Sequence, residues 1–527
     1  MNPPQAKPKW SLPIDMPLAS DPRRARRIQA LRLAASVVLC AAFIVPVVQF
    51  QHGTMKNLRK AEKFDRQHPG WTQASAQAGG PQRPKPHKGA IGRWRKAVRQ
   101  FWDGGNIYVA GEQGSAAAAA RDGDEDDAGG GDERAVWLHP NMPGVVVLLT
   151  PFAYLPIGAM ALTWNIAKLA ALAATLLMAA RLAGHGPQRI ADWVLGLAVV
   201  WCGSLIIGDI LHGNTNIFVL AAVVLHMWLF RRGRDVAAGG ALALAICLKM
   251  TPAILVLYWL YQRNWKLLAG TLVGLTLLAV VLPAVAVGPA HSLELTRTWL
   301  DNLIVPGLLK GAWYPIHVNQ SLPGVVARYF LDGPDGNIFW NPDDNPYATQ
   351  DAFGWITLAA LPPATVKLLI RVVQLAIVAA MAWAIGWRKL PRDDGRRMLH
   401  WGLVVVAWML LNQRTWDHHA GPLLVTDLAI WQAIAFGRFG AKVRGVALVL
   451  MLLAGLLMVA SFGGVGEGIG RLAGHSAADA KVFADRFDAY GPVFWHFAAL
   501  FAAGVLLAIK LRRSEPPYAA ERQKLRG

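Results

Sequence analysis

Long apolar runs recur along the chain, and each is close to the length of a helix that crosses a membrane. Such a helix needs about 20 predominantly apolar residues. The first run, from about Leu31 to Phe50, follows an arginine cluster that begins at Arg23. No small-residue cleavage site comes after this run. It is therefore predicted to be a retained first span with a cytoplasmic N-terminus.

Basic clusters between the later runs determine the predicted path, because such clusters favour the cytoplasmic side. Placing them all there gives nine further spans. They cover about 160–183, 189–207, 214–231, 265–287, 364–387, 398–411, 420–437, 443–462 and 489–511. The run from Gly144 to Gly158 is too short to cross, so it is predicted to be a re-entrant or interfacial piece on the outer side.

The segment from Val236 to Gln262 has basic residues on both sides but is only long enough for one crossing. Its middle is interrupted by Lys249-Met-Thr-Pro252, and a proline breaks an ordinary helix. Two half-helices that meet at this break would return the chain to the cytoplasm. A single crossing is the alternative, and it would invert every later span.

A polar stretch from Gln51 to about Asn141 separates the first two predicted spans, and its Pro/Gly/Lys-rich and acidic parts are predicted to be disordered. Between these parts, residues 91–102 have one apolar helical face and basic residues on the other sides. This pattern predicts a helix that lies on the membrane surface. A packed surface helix without a lipid role is the alternative.

The predicted fold is an all-α polytopic membrane protein with about 10–12 transmembrane helices. The loop 288–363 contains seven acidic and three basic residues, which fits an extracytoplasmic side. The predicted parts are a basic cytoplasmic tail (1–29), a membrane domain (30–511) with large extracytoplasmic loops at 51–143 and 288–363, and a second cytoplasmic tail (512–527).

Composition agrees with a multi-pass protein of the cell membrane. Hydrophobic residues make up 54% of the 527 residues and charged residues only 16%, which excludes a water-soluble enzyme. The net charge of +20 is assigned to basic cytoplasmic loops, and no nucleic-acid partner is predicted. Cys40, Cys202 and Cys247 all lie in apolar runs, so neither a disulfide framework nor a thiolate metal site is expected.

Three polar motifs lie among apolar residues, and the predicted path brings them all to the outer face. Polar and ionisable groups near hydrocarbon are costly and therefore indicate a site. The motifs are Asp209-Ile-Leu-His-Gly-Asn-Thr-Asn216, Asn319-Gln-Ser-Leu-Pro-Gly324 and Asn412-Gln-Arg-Thr-Trp-Asp-His-His419.

Local structural roles are an alternative for two of these motifs. Asn214 and Asn216 are suited to cap a helix that begins at Ile217. The stretch from Asn319 to Gly324 is suited to an ordinary turn.

No metal site or bound cofactor is predicted. The aspartates between Asp122 and Asp127 lie in a low-complexity tract, and His418 and His419 have no further zinc ligands at suitable spacing. A phosphate-binding glycine loop, which would indicate a nucleotide, is also missing from the sequence.

Four stretches of the sequence together resemble the motifs of a known family and occur in the family's order. They are Asp103-Gly-Gly-Asn-Ile-Tyr108 with His139-Pro-Asn-Met-Pro143; Gly213-Asn-Thr-Asn216 running into Arg231-Arg-Gly-Arg-Asp235; Lys249-Met-Thr-Pro-Ala253; and Asn319-Gln-Ser-Leu322 with Trp416-Asp-His-His419. This ordered set resembles glycosyltransferase family 87, in the C-type superfamily of polytopic membrane glycosyltransferases.

The resemblance implies a C-type glycosyltransferase fold and a polyprenyl-phosphate-linked sugar donor, usually of mannose. The lipid-linked donor would be a substrate, and the partners would be membrane lipid and a lipid or glycan acceptor. Transfer would occur on the extracytoplasmic face with inversion. The leaving phosphate needs cations or hydrogen-bond donors. Suitable residues are Arg414, His418, His419 and Lys249. Further substrate contacts are expected from His212, Asn214, Asn216, Asn319, Gln320, Trp416 and Asp417.

The acceptor hydroxyl needs a general base, normally a carboxylate. The stretch Gly105-Asn-Ile-Tyr108 resembles a Gly-x-x-Tyr element of the family. Family members usually carry an aspartate about a dozen residues before this element, where this chain has an acid-free stretch from Lys88 to Trp94. Asp103 is the first candidate for the base and Asp209 the second. A non-catalytic or flippase/transport-type protein for lipid-linked glycans, with the same fold, is the alternative function.

Overall fold

The computed structural model describes most of the predicted membrane domain. The described residues are 22–71, 81, 83–108, 141–184, 190–310, 317–331, 356–437, 439–461 and 463–512. All regular secondary structure among them is helical. The predictions for the acidic insert, for residues 79, 80 and 82 of the Pro/Gly/Lys-rich tract and for both tails beyond residues 22 and 512 lie outside the described residues. The rest of that tract packs on the protein, since Arg83 Nε donates to Asp65 Oδ1 at 2.7 Å and His87 is buried. The prediction of disorder is therefore wrong for residues 83–89.

The described residues of the first half of the chain form ten helices. They are α1 (Pro22–Gln67), α2 (Ile91–Trp102), α3 (Pro143–Ala153), α4 (Ile157–Leu182), α5 (Asp192–His212), α6 (Asn216–Arg231), α7 (Asp235–Leu248), α8 (Ile254–Tyr261), α9 (Trp265–Leu275) and α10 (Leu282–Val287). A 3₁₀ turn (Thr251–Ala253) precedes α8, and a π-helical turn (Thr276–Val281) joins α9 to α10.

In the second half, the part of the chain that the structure describes forms nine helices. They are α11 (Pro289–Trp299), α12 (Leu322–Phe330), α13 (Pro363–Ile385), α14 (Arg396–Leu411), α15 (Leu423–Phe436), α16 (Ala441–Ala460), α17 (Gly463–Leu472), α18 (Ala477–Ala489) and α19 (Pro492–Arg512). A π-helical stretch (Leu300–Lys310) follows α11, and a 3₁₀ turn (Asp417–Ala420) precedes α15.

Seven helical stretches of the described residues are long and apolar enough to cross a membrane. They are α1, α4, α5, α9 with α10, α13, α16 and the stretch that ends with α19. Shorter apolar helices, including α3, α6, α7, α8 and α15, lie among them. The prediction of an all-α polytopic membrane protein is confirmed.

The helices have two polar ends that organise the rest of the structure. At one end, which we call the basic end, α6 passes into α7 and Arg392 Nη2 donates to Asp235 Oδ2 at 2.6 Å. At the other end, which we call the site end, α5 passes into α6 through the turn that begins at Gly213, and α7 stops at Lys249. Apolar helices 14 to 21 residues long, α5, α6 and α7, connect these ends.

Helices α7 and α8 form the predicted pair of half-helices. Helix α7 touches α9 through glycines: Gly239 faces the backbone at Leu267 and Thr271, and Gly274 faces Ala243. Small residues let two helices approach this closely. The contacts advance in the same direction along both helices, so α7 and α9 are parallel. Helix α8 therefore returns the chain to the basic end. The prediction of two half-helices is confirmed, and the alternative of a single crossing is excluded.

The tip of this hairpin is not helical. Lys249 has an extended backbone, with φ −162° and ψ 131°, and Pro252 lies in the 3₁₀ turn that follows. Proline has no backbone N–H to continue a helix. Near the basic end, Trp259 Nε1 of α8 donates to His226 Nε2 of α6 at 2.8 Å. The tip places Lys249 at the site end.

Helix α1 extends well beyond the predicted first span. The apolar run ends at Phe50, but the helix continues to Gln67 through sequence that was predicted to belong to a loop. Contacts with the rest of the protein hold this polar extension, since Gln51 Nε2 donates to Gly158 O at 3.1 Å and Asn57 Nδ2 donates to His87 O at 3.0 Å. Hydropathy gives no signal for a helix that is stabilised in this way.

The predicted amphipathic helix is present as α2, and its apolar face is buried. Ile91, Val98 and Phe101 are fully buried, while Trp102 is 39% exposed and donates through Nε1 to Thr150 Oγ1 of α3 at 2.9 Å. Helix α2 packs on α3, the short helix within the predicted interfacial run. The burial of this face favours the alternative of a packed surface helix over a helix that lies on the membrane. Trp102, at the edge of the face, stays partly exposed.

Candidate functional site

The turn between α5 and α6 forms the base of the site. Gly213 has φ +66°, a left-handed conformation that suits glycine, and a Cβ there would lie 3.1 Å from side-chain atoms of Ile91 and Phe50. The first loop also reaches this turn, because Ala90 N donates to His212 O at 2.7 Å. The turn therefore brings the motif at 209–216 against the start of α2.

A buried ion pair lies beneath the turn. Lys168 Nζ of α4 is 2.9 Å from Asp209 Oδ2, and both side chains are fully buried. Asp209 also accepts hydrogen bonds from Asn216 N, Asn216 Nδ2 and Ile217 N at 2.8 to 3.3 Å. The carboxylate thus caps the N-terminus of α6, which its negative charge favours.

Lys249 joins this network from the hairpin tip. Its Nζ donates to Asn216 Oδ1 at 2.8 Å, while Asn216 Nδ2 donates to Asp209. Two lysines from different helices are therefore linked through one carboxylate and one amide. The structure brings together three of the predicted residues: Asp209, Asn216 and Lys249.

The segment 412–420 forms the opposite side of the site and is fixed by the motif at 319–321. Asn319 Nδ2 donates to Gln413 O at 3.1 Å, and its Oδ1 accepts from Thr415 N at 3.0 Å. Gln320 N donates to Thr415 O at 2.7 Å. Ser321 caps α12 by accepting from Gly324 N. Asn319 and Gln320 are thus engaged in holding the loop.

Two histidines meet where this loop approaches the α5–α6 turn. The rings of His212 and His418 stack with centroids 4.3 Å apart and planes at 15°. Close packing of the helix beneath permits this, because Gly208 lies against His418. Asn214 lies beside the pair in the same turn, half-buried, with its Oδ1 accepting from Thr215 N at 2.9 Å.

The remaining basic groups surround His419. Its ring lies 4.6 Å from that of His418 and 5.1 Å from Trp416, and the Arg414 guanidinium lies 5.1 Å from the Trp416 ring. The charge of Lys249 also acts on His419. We call His212, Lys249, Arg414, His418 and His419 the cationic cluster. It contains all four residues predicted to bind phosphate.

His419 is a neutral member of this cluster. Burial and the positive charges of Lys249, His418 and Arg414 hold the pKa of His419 well below its usual value. Its Nδ1 accepts a hydrogen bond from Trp416 N at 3.4 Å, so the ring proton lies on Nε2. His419 is therefore equipped to donate one hydrogen bond without carrying a charge.

Asp417 lies at the edge of the cationic cluster. Its side chain is 55% exposed, and its Oδ1 accepts from His418 N at 2.6 Å and lies 3.3 Å from His418 Nδ1. The withdrawal of part of the side chain from water acts to raise the pKa of Asp417, but the hydrogen bonds from His418 and the charges of His418 and His212 outweigh it and bring that pKa to about 2. The side chain is a carboxylate at any physiological pH.

Asp103, the first predicted base, lies apart from the cluster. It is exposed and caps the C-terminal end of α2, whose first residue, Ile91, touches the α5–α6 turn. Helix α2 has 12 residues, so Asp103 is about 18 Å farther along the helix axis. The short segment that follows Asp103 is packed against the protein, since Tyr108 is fully buried and its hydroxyl donates to Asn141 O at 2.6 Å. His139 lies outside the described residues.

The C-terminal hairpin of α17 and α18 adds further contacts that the sequence did not indicate. Gln320 Nε2 donates to Asp488 O at 2.9 Å, and Arg328 Nε donates to Ala489 O at 2.8 Å. The charges of Asp417 and Asp488 act on each other. Because Gln320 N also donates to Thr415 O at 2.7 Å, Gln320 links this hairpin to the segment 412–420.

Lys168 is the most important residue whose place in the site was not predicted from the sequence. It lies inside a predicted span, and an ionisable residue at such a position is itself a signal. Its contact with Asp209 depends on the packing of α4 against the α5–α6 turn, which no local pattern reveals. Among the described residues, no group of three or more His, Cys, Asp or Glu side chains is arranged to hold a metal ion.

These features define a polytopic helical membrane protein with a cluster suited to a phosphate group at one end of its helices. The model of glycosyltransferase family 87 matches residues 137–412, slightly more than half of the chain. The chain belongs to glycosyltransferase family 87 and is a membrane glycosyltransferase. Family membership agrees with the C-type glycosyltransferase fold that the motifs imply. No curated protein sequence matches the chain.

Two solved structures are distantly similar to this one. They are ArnT from Cupriavidus metallidurans in the apo state (13% identity, TM-score 0.32) and the same protein bound to undecaprenyl phosphate (14% identity, TM-score 0.29). Both matches cover 79% of this chain, and they cover 72% and 77% of the ArnT chains. At these scores, nothing about the site of this chain follows from the similarity.

Proposed function

We propose that the protein transfers a sugar, with mannose as the first candidate, from a polyprenyl-phosphate donor to a lipid or glycan acceptor. Transfer would proceed by a single displacement with inversion at the anomeric carbon. No metal or bound cofactor is part of the proposal, since the lipid-linked sugar is itself a substrate.

The convergence of five basic side chains at the site end is the observation that carries this proposal. A polyprenyl phosphate that leaves the sugar gains negative charge on its bridging oxygen, and preorganised donors stabilise that charge. Arg414 and Lys249 supply charge, while His418 and His419 supply ring donors. The cluster lies where α5 and α7 end and α6 begins, which is the level at which we expect a lipid headgroup to meet the helices.

The basic end supports the proposed orientation in the cell membrane. Arg232, Arg263 and Arg388 are exposed there, as are Trp265 and Trp387, with 65% and 70% of their surface accessible. Basic residues favour the cytoplasmic side, and tryptophan favours the membrane interface. We therefore place both chain termini in the cytoplasm and the site on the extracytoplasmic face.

The residues that were predicted to contact the substrate differ in their distance from the cationic cluster and in their hydrogen bonds. His212 belongs to the cationic cluster, Asn214 and Trp416 lie beside it, and all three are proposed to contact sugar or lipid. Asn319 and Gln320 hold the loop, so their effect on substrate is expected to be indirect.

The two predicted bases also differ in their surroundings. Asp209 is occupied by Lys168 and three N–H donors. Asp103 is exposed but lies at the far end of α2.

Purified protein tested with labelled polyprenyl-phosphate mannose, and with the glucose analogue as a second donor, would check the proposal. Acceptors would be supplied as a lipid extract from the native membrane. Transfer of label to an acceptor is the expected result. Saturable donor binding without transfer would favour the non-catalytic or flippase-type alternative, which the acid-free stretch from Lys88 to Trp94 supports. Absence of both binding and transfer would reject both functions.

A further inference from the structure

Asp417 has the arrangement that a proton acceptor needs. Both described contacts of its carboxylate, from His418 N at 2.6 Å and from the His418 ring at 3.3 Å, involve Oδ1. Within the described part of the chain no hydrogen bond reaches Oδ2. One oxygen is therefore fixed by its neighbour, the other has no described hydrogen bond, and 55% of the side chain is exposed.

Other carboxylates near the site end are less suited to this role. Asp209 is fully buried and bound to Lys168 and to the N-terminus of α6. Asp103 is about 18 Å along α2 from the turn that holds His212. Asp485 is 3.7 Å from His317, and its side chain is 26% exposed. Asp488 is half-buried on α18, and no described hydrogen bond links its side chain to the cationic cluster.

The described residues of the first loop that reach this point carry no carboxylate. Residues 88–94 pack on His212 through Ala90 N and contain no acidic residue. His212 stacks on His418, and His418 holds Asp417. Asp417 is thus bound directly to His418, one of the two stacked histidines that would contact the donor phosphate.

We infer that Asp417 is the general base of the transfer and that its Oδ2 accepts the proton of the acceptor hydroxyl. The acceptor oxygen forms its bond to the anomeric carbon as the bond from that carbon to the phosphate oxygen breaks. The phosphate oxygen keeps the bonding electron pair and leaves as polyprenyl phosphate beside the cationic cluster. The protonated Asp417 then returns its proton to water.

Donor binding would also strengthen this base. The positive charges of His418 and His212 hold the pKa of the Asp417 carboxyl low, against the effect of its burial. A donor phosphate between the same histidines and Arg414 would offset those charges and raise the proton affinity of Asp417. The base would be strongest when the leaving group is in place.

The inference rests on the proposed function, and one set of variants separates the two. Asp417→Asn keeps the size of the side chain but cannot take a proton, so transfer should fall by about 10²–10⁴-fold while donor binding persists. Asp417→Ala should respond in the same way and recover part of its activity in sodium formate, which supplies a small carboxylate. Asp301→Asn, at an exposed position on the π-helical stretch after α11, is the matched control and should transfer normally.

Normal transfer by Asp417→Asn would overturn the assignment. Loss of transfer in Asp488→Asn alongside it would move the base to α18. Failure of Asp417→Ala to respond to formate while Asp417→Asn has lost donor binding would also reject it, because Asp417 would then only support the loop. Absence of transfer by the unmodified protein with every donor would reject the proposed function instead.

Discussion

At the scale of single residues, the cationic cluster is expected to control donor use. Arg414→Ala, His418→Ala and His419→Ala each remove a charge or hydrogen-bond donor from the leaving phosphate, and loss of one such group costs about 10²–10³-fold in turnover. Initial rates with a labelled polyprenyl-phosphate sugar measure this. Arg232→Ala, at an exposed position of the basic end, is the control and should not change the rate. Full turnover in all three variants would exclude the cluster from the reaction.

His419 is expected to act as a neutral donor. Its pKa is lowered by burial and by neighbouring positive charges, so the ring stays uncharged between about pH 6 and pH 8, although an unperturbed histidine begins to gain a proton in that range. His419→Gln preserves a neutral N–H donor and should therefore retain most donor binding. The ratio of wild-type to variant affinity should be constant across this pH range. An increase in the ratio as the pH falls would show that the histidine becomes charged.

The buried pair of Lys168 and Asp209 should affect stability more than chemistry. Asp209→Asn leaves the Lys168 charge fully buried without its partner, and breaking such a pair typically costs about 3–5 kcal/mol. Thermal unfolding in detergent should show a large loss for Asp209→Asn and for Lys168→Met. The double variant Lys168→Met/Asp209→Asn should lose less than the sum of the two single variants, because neither charge remains. Additive losses would contradict the direct pairing.

The residues of the site were partly predictable from the sequence. Motifs such as 412–419 are visible because four ionisable side chains in an apolar context indicate a site wherever they fold. The pairing of Lys168 with Asp209 was not visible, because the partners are 41 positions apart and meet only through helix packing. The sequence also could not distinguish a capping role of Asp209 from a catalytic one, since both roles use the same carboxylate.

At the scale of helices, two adjacent glycines test the packing of α7 against α9. A Cβ at Gly239 would lie 2.2 Å from Leu267 O, whereas a Cβ at Gly240 would have no heavy atom within 4 Å. Gly239→Ala should therefore lower stability by about 1–3 kcal/mol through overpacking. Gly240→Ala should be neutral or raise stability by up to about 1 kcal/mol through helix propensity.

Thermal unfolding of the two variants under identical conditions provides the comparison. Because the substitutions are the same and adjacent on one helix, differences in expression or detergent binding should affect both similarly. Equal stability of the two variants would contradict the close parallel contact of α7 and α9.

Helix positions were more predictable than helix pairings. The span predicted at 265–287 corresponds to α9 and α10, and that at 443–462 to α16, since long apolar runs need no tertiary information. The half-helix hairpin was recognisable because Pro252 interrupts the run and basic residues flank both ends. The extension of α1 to Gln67 was not recognisable, because a polar helix that is held by Gln51 and Asn57 has no hydropathy signal.

At the scale of the whole molecule, the orientation in the membrane can be tested by labelling single cysteines. His475 lies exposed between α17 and α18, on the side of the site, and Arg232 lies exposed at the basic end. On a background without Cys40, Cys202 and Cys247, an impermeant thiol reagent applied to intact cells should label His475→Cys but not Arg232→Cys. Positions such as Ser321 and Thr415 are fully buried and unsuitable.

Permeabilised cells provide the control, because both cysteines should then react. Labelling of Arg232→Cys alone in intact cells would reverse the proposed orientation and place the cationic cluster on the cytoplasmic side. Labelling of neither cysteine after permeabilisation would show that these positions are covered in the folded protein.

The parallel contact of α7 and α9 also has a consequence for how the chain is made. Helix α7 has 14 residues and α8 has 8, so neither is long enough to enter the bilayer as an independent segment. During synthesis, the glycine face of α7 has no partner until α9, which ends at Leu275, has been translated. Lys249 is therefore expected to reach its final depth only when α9 inserts alongside the hairpin, which makes completion of the phosphate-binding cluster a late event in the biogenesis of the protein.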